Sequence, residues 1–68
     1  MSSMRLRIWR CLRLLTILQS RIGYSICHLE REFEVSKRTI HRDFRFLKEA
    51  GIPIRYDPQK RGHILQHL

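Results

Sequence analysis

Apolar and polar positions change their period along the chain, and the changes mark out its elements. Met4, Ile8, Cys11, Leu12, Leu15, Leu18 and Ile22 recur within one broad stripe at about 100° per residue, which predicts an amphipathic helix over about residues 4–20 with that stripe buried. Ser2 or Ser3 is placed to cap its start. Leu6, Trp9 and Ile17 fall away from the stripe and Leu14 lies at its edge. Gly23 breaks this helix, and Ser25 caps a second over about 26–33, in which Ile26, Leu29 and Phe33 share a face through spacings of three and four. Only Glu34 and Val35 then separate it from Ser36, the cap of a third helix over about 37–50. Ile40, Phe44 and Leu47 form the buried stripe of that helix, and Gly51 supplies the left-handed residue that closes it. Beyond Gly51 the period becomes two. Ile52, Ile54 and Tyr56 alternate with Pro53, Arg55 and Asp57, a half-buried strand entered through a proline. Pro58 to Gly62 form a basic turn and His63 to Leu65 return, giving a hairpin over about 52–66.

Two helices joined by so short a turn have the connection of a helix-turn-helix. A two-stranded hairpin is marginal in water alone, so its apolar side must pack on the helices. The expected architecture is a single domain over 1–68, mainly α with a small β-hairpin: three helices followed by a two-stranded wing. A domain of this length buries only about 60% of its unfolded surface, so its stability is marginal.

Charge sharpens the picture. Lys and Arg number 14 against 6 Asp and Glu, a formal net charge of +8 that favours a polyanion as partner, either nucleic acid or an anionic membrane. Arg38, Arg42 and Arg45 lie opposite the buried stripe of the third helix, flanked by Thr39 and His41, and such a face suits phosphates or guanine edges. A row of arginines is also what an ordinary solvated face looks like, so the flanking segments carry the decision. Asp43, at the edge of the buried stripe, reads as a structural ion pair with an arginine rather than a reader of cytosine.

Other chemistries find little support. Cys11 and Cys27 form no CxxC pair, and His28, His41, His63 and His67 lack metal-ligand spacing, so no metal or cofactor is expected. No nucleophile–base pair, phosphate-binding glycine loop or carboxylate pair is present, which speaks against an enzyme. The longest apolar run, near Leu14 to Leu18, falls far short of the ~20 residues that span a bilayer. The basic start resembles an organelle transit peptide, yet the core needs its apolar residues.

The stretch from Ile17 to Leu65 resembles the N-terminal winged helix-turn-helix of bacterial DeoR-type transcriptional regulators, especially those with a C-terminal WYL domain. The resemblance is carried by VSKRTIHRDF followed by LKEAGIPIRYD. His41 stands where the family commonly has tyrosine, and Phe44 where it commonly has leucine. Glu34 occupies a turn position that is usually glycine; if that residue is left-handed, a glutamate there costs about 1–2 kcal/mol, so a differently built turn is expected.

The resemblance implies sequence-specific binding of double-stranded DNA by a cytoplasmic, nucleoid-associated regulator, with the helix of residues 36–50 in the major groove. Ser36, Arg38, Thr39 and Arg42 occupy the part of the helix that such regulators place there. Arg38 and Arg42, with Thr39, His41 and Arg45, are the candidates for base edges. Lys37 and, on the wing over 58–62, Lys60 and Arg61 are the candidates for phosphates or the minor groove. A homodimer through Leu6, Trp9 and Ile17 on the first helix is a further expectation, since regulators of this kind read repeated half-sites. An effector ligand is implied only if a further domain exists, and the chain reads as either a fragment or a protein with the DNA-reading part alone. The rival readings are a winged-helix module that docks onto another protein and a membrane-surface peptide.

Overall fold

The computed structural model describes the backbone of residues 2–66 and the side chains from Leu6 to Gln66. Three helices, α1 (Ser2–Gln19), α2 (Ile26–Phe33) and α3 (Lys37–Glu49), precede an antiparallel hairpin of β1 (Ile54–Asp57) and β2 (Gly62–Leu65). The strands pair in register from Ile54 opposite Leu65 to Asp57 opposite Gly62. This is the winged-helix arrangement that the sequence pattern predicts.

The helix boundaries follow from local chemistry. Ser25 Oγ accepts from the His28 amide at 3.1 Å, and Ser36 Oγ accepts from the Thr39 amide at 3.2 Å, so each serine satisfies an orphan donor of the first turn it precedes. Gly51 closes α3 at φ +98, with its own amide donating to the Lys48 carbonyl and the Ile52 amide to that of Leu47. α1 already begins at Ser2, so Ser2 and Ser3 lie inside its first turn rather than ahead of it. The side chains of Ser2, Ser3 and Met4 lie outside the described residues.

The turn between α2 and α3 departs from expectation. Glu34 takes φ 55 and ψ 44, the left-handed conformation that glycine supplies more cheaply, and the amides of Glu34 and Val35 both donate to the Glu30 carbonyl. The turn is therefore built in the usual way with an unusual residue.

One core joins all three helices and the first strand: Cys11, Leu14 and Leu18 from α1, Leu29 from α2, Ile40, Phe44 and Leu47 from α3, and Ile54. Full burial of a leucine such as Leu14, Leu18 or Leu29 contributes about 1.5–3 kcal/mol relative to leaving it in water. The stripe expected for α1 is corrected here. Ile8, Leu12 and Ile22 are exposed, whereas Leu14 is completely buried, so the inward face is turned by roughly 60° at about 100° per residue. Asp43 of α3 is buried and holds Arg10 at the edge of this inward face. Because an arginine occupies the edge of the inward face, an apolar stripe read without it points elsewhere.

The hairpin is fastened by a short third strand segment. Tyr24 forms an isolated antiparallel bridge with His63, the Tyr24 amide donating to the His63 carbonyl at 3.3 Å and the His63 amide to that of Tyr24 at 2.8 Å. Gly62 permits this approach, since a Cβ there would sit 2.3 Å from the Tyr24 nitrogen. Among the described residues no helix is long and apolar enough to cross a membrane.

Candidate nucleic-acid interface

The turn at Glu34 and the cap at Ser36 aim α3 outward along one side of the molecule, and the burial of Ile40, Phe44 and Leu47 fixes its rotation about its own axis. The side chains left on the outer side are Lys37, Arg38, His41, Arg42 and Arg45, all exposed. Arg38, His41, Arg42 and Arg45 line one shallow depression. Among the described residues the ion pairs involve only Arg7, Arg10 and His28 as cations, so the arginines of this face keep their charge unneutralised by protein.

Ser36 and Thr39 are differently placed. Their hydroxyls lie 3.2 Å apart while Ser36 also holds the helix cap, and Thr39 is half-buried beside α1. Ser36 therefore serves the geometry of the helix start, and Thr39 sits on the flank of the cationic face.

The wing candidates separate. Asp57 Oδ1 accepts from the Gln59 amide at 2.9 Å, which sets the turn, and Arg61 ends it at φ 55 with an exposed side chain. The Lys60 ammonium instead donates to the Arg21 carbonyl in the turn after α1, and its Cβ would stand 2.7 Å from a Cβ at Gly23. Lys60 thus ties the wing to the body. Arg61 is the wing cation without such a tie among the described residues.

Asp43 is the ion-paired acid that its position predicts. Both its oxygens are engaged by Arg10, through Nε to Oδ2 and through Nη2 to Oδ1 at 3.2 Å, and only 1% of the residue is accessible. The hydrogen bond to Asp43 holds the Arg10 guanidinium above its usual pKa, against the opposing effect of burial. Arg7 Nε approaches Asp43 Oδ1 at a looser 3.9 Å while its guanidinium lies 4.6 Å from the centre of the Phe46 ring. Arg7 beside α3 is the element that periodicity alone does not reveal. The signal available was the buried-edge acid itself, which requires a cation from another helix, and Arg7, Arg10 and Leu14 follow one another at spacings of three and four.

The wing meets α3 through His63, whose ring is 5.0 Å from that of Phe44 and 5.3 Å from that of Tyr56. Burial, with Lys48 and His41 nearby, holds its pKa below the usual histidine value, and its Nδ1 is buried without a hydrogen-bond partner.

The expected dimer residues have neighbours within the monomer. Trp9 packs edge-on against Phe33 of α2 with ring centres 6.1 Å apart, Ile17 is half-buried on the core, and Leu6 borders a groove with Val35. Their side of α1 is the one against which α2 and the turn are laid. Leu6 and Trp9 nevertheless remain 57% and 56% accessible.

A helix-turn-helix with a hairpin wing and an outer helix face on which Arg38, Arg42 and Arg45 precede a single acid, Glu49, defines a nucleic-acid-binding class. The chain matches the HTH domain family over residues 10–64 and belongs to it. That family is a DNA-binding one and not an enzymatic one, so DNA is the partner of this chain. Comparison with curated proteins and with solved structures gives no match.

Proposed function

We propose that the chain is the DNA-reading domain of a DeoR-like bacterial regulator acting in the cytoplasm, and that it binds double-stranded DNA sequence-specifically by laying α3 into the major groove. The observation that carries this reading is the depression formed by Arg38, His41, Arg42 and Arg45, four side chains on one outer helix face with no acid among them. Arg38 and Arg42 are assigned to base edges, where a guanidinium matches the two acceptors of guanine, with His41 and Arg45 beside them. Thr39 serves the flank, and Ser36 fixes the helix start from which these side chains project. Lys37 and Arg61 hold phosphates and so set the orientation on the duplex, while Lys60 keeps the wing in place for Arg61 to do so.

Titration of a duplex at several salt concentrations tests the reading. With the five cations Lys37, Arg38, Arg42, Arg45 and Arg61 displacing counterions from the duplex, log K falls against log salt with a slope of about −4 to −5. Selection from random duplexes at fixed salt then yields a preferred site. A slope near zero would instead support a protein-docking role for the same fold.

A further inference from the structure

Beside the reading face, between the N-terminal half of α1 and the flank of α3, runs a groove with Leu6, Arg7 and Arg10 on one bank, Thr39 and Arg42 on the other, and Asp43 in its floor. Three guanidiniums face one carboxylate there, and that carboxylate is occupied by Arg10. Arg7 is left with a contact to Asp43 of 3.9 Å, too long for a hydrogen bond, and with its Cζ 4.6 Å over the centre of the Phe46 ring. Its side chain is 41% accessible. The guanidinium thus lies over an aromatic ring while no hydrogen bond from it is made among the described residues, an arrangement that an anion completes.

The position of this cation identifies the anion. Thr39 and Phe46 lie along the side of α3 adjacent to the reading stripe, and Arg42 stands at the border, lining both the stripe's depression and this groove. A helix with its side chains is about 10–12 Å across and the major groove about 12 Å wide, so a helix lying in it brings its flanks against the sugar–phosphate walls. α1 stands outside that flank. We propose that Arg7 is a further DNA contact, made by α1 rather than by α3 or the wing, and that it holds a backbone phosphate at the mouth of the α1–α3 groove. Leu6 gives the deoxyribose beside that phosphate an apolar surface to lie on. The assignment rests on the placement of α3 in the major groove given above.

Salt titrations of the full chain on a random-sequence duplex test it, comparing wild type with Arg7→Gln, Arg7→Lys and Arg13→Gln. Arg13 is the matched control: it is exposed, lies 6.0 Å over the Trp9 ring, and is not part of the groove. Arg7→Gln is expected to weaken binding to all sequences alike and to reduce the steepness of the salt slope by about 0.9, the value of one phosphate contact. Arg7→Lys keeps a cation in reach and retains most of the slope, and Arg13→Gln leaves it unchanged. Equal slopes for Arg7→Gln and wild type would overturn the proposal, as would equal losses for Arg7→Gln and Arg13→Gln, which would mark a diffuse charge effect. A wild type without salt-dependent binding would remove the major-groove reading and this contact together; a steep wild type with an unaltered Arg7→Gln removes the contact alone. The Nε–H resonance of Arg7 in wild type gives a readout that needs no variant. It shifts on adding the duplex while that of Arg13 does not, and an unmoved Arg7 signal would overturn the proposal.

Discussion

Asp43 and Arg10 show how a single buried charge organises two helices. The carboxylate is almost entirely out of water, whereas the Arg10 side chain keeps 15% of its surface accessible. The two partners therefore do not cost the same when removed. Arg10→Met strands a buried carboxylate, and we expect a loss of about 3 kcal/mol, at the lower end for a broken buried pair because Arg7 stands 3.9 Å away. Asp43→Asn leaves an arginine that can turn toward solvent, and its loss is smaller. Urea unfolding of the two variants checks the order, and the reverse order would mean that Arg10 rather than Asp43 is the costly charge. Glu34, like Arg21 and Arg61, is left-handed without the freedom of glycine, and it sits at the turn between α2 and α3. Glu34→Gly relieves a strain of about 1–2 kcal/mol but adds unfolded-state entropy of about 0.4–1, so a net gain of about 0.8 kcal/mol, at most about 1.6, is expected. A melting temperature that falls instead would show that the glutamate side chain contributes to the turn.

Among the elements, α2 and α3 were fully legible in the sequence because their caps are side chains with one local job. Ser25 and Ser36 each hold the amide three residues on, and nothing distant competes with that bond. The inward face of α1 was not legible, because Leu14 and Arg10 owe their placement to a partner far along the chain. The same holds for the Tyr24–His63 bridge, which depends on a backbone approach allowed by Gly62 and leaves no periodic trace. The exposed face of α3 was legible as a charged stripe, whereas the tie from Lys60 to the Arg21 carbonyl was not, since composition does not show where a long side chain ends. Two predictions belong at this scale. Gly62→Ala forces a Cβ into the backbone of Gly23 and Tyr24, so it should release the wing and destabilise the domain by about 1–3 kcal/mol, read from urea unfolding and from lost amide protection at His63. His63 is held neutral by burial, with its folded pKa below the unfolded value of about 6.5. The unfolded state thus binds more protons in the window just below 6.5, so the contribution of His63 is complete above that pH and is lost as pH falls through the folded value. His63→Leu should flatten the dependence of stability on pH in that window, by at most about 1.4 kcal/mol per pH unit for one proton.

At the level of the whole molecule, α3 and the wing are joined through His63, whose ring packs against those of Phe44 and Tyr56. On the proposed placement of α3, base contacts and phosphate contacts are separable by experiment. Arg38→Ala and Arg42→Ala should each cost about 1–3 kcal/mol on the preferred site and relax the preference at one base pair, if each makes a two-pronged contact to guanine. Arg61→Ala should weaken all sequences alike and reduce the salt slope by about 0.9, as a cation at an otherwise free wing tip does. Lys60→Ala separates the two jobs a wing lysine could have. Its ammonium is engaged by the Arg21 carbonyl, so its removal should loosen the wing against α1, lowering stability while leaving the salt slope near that of wild type. If Lys60→Ala instead reduced the slope as Arg61→Ala does, with stability unchanged, the ammonium would belong to the phosphate set, and the fastening of the wing would rest on Gly62, Tyr24 and His63 alone.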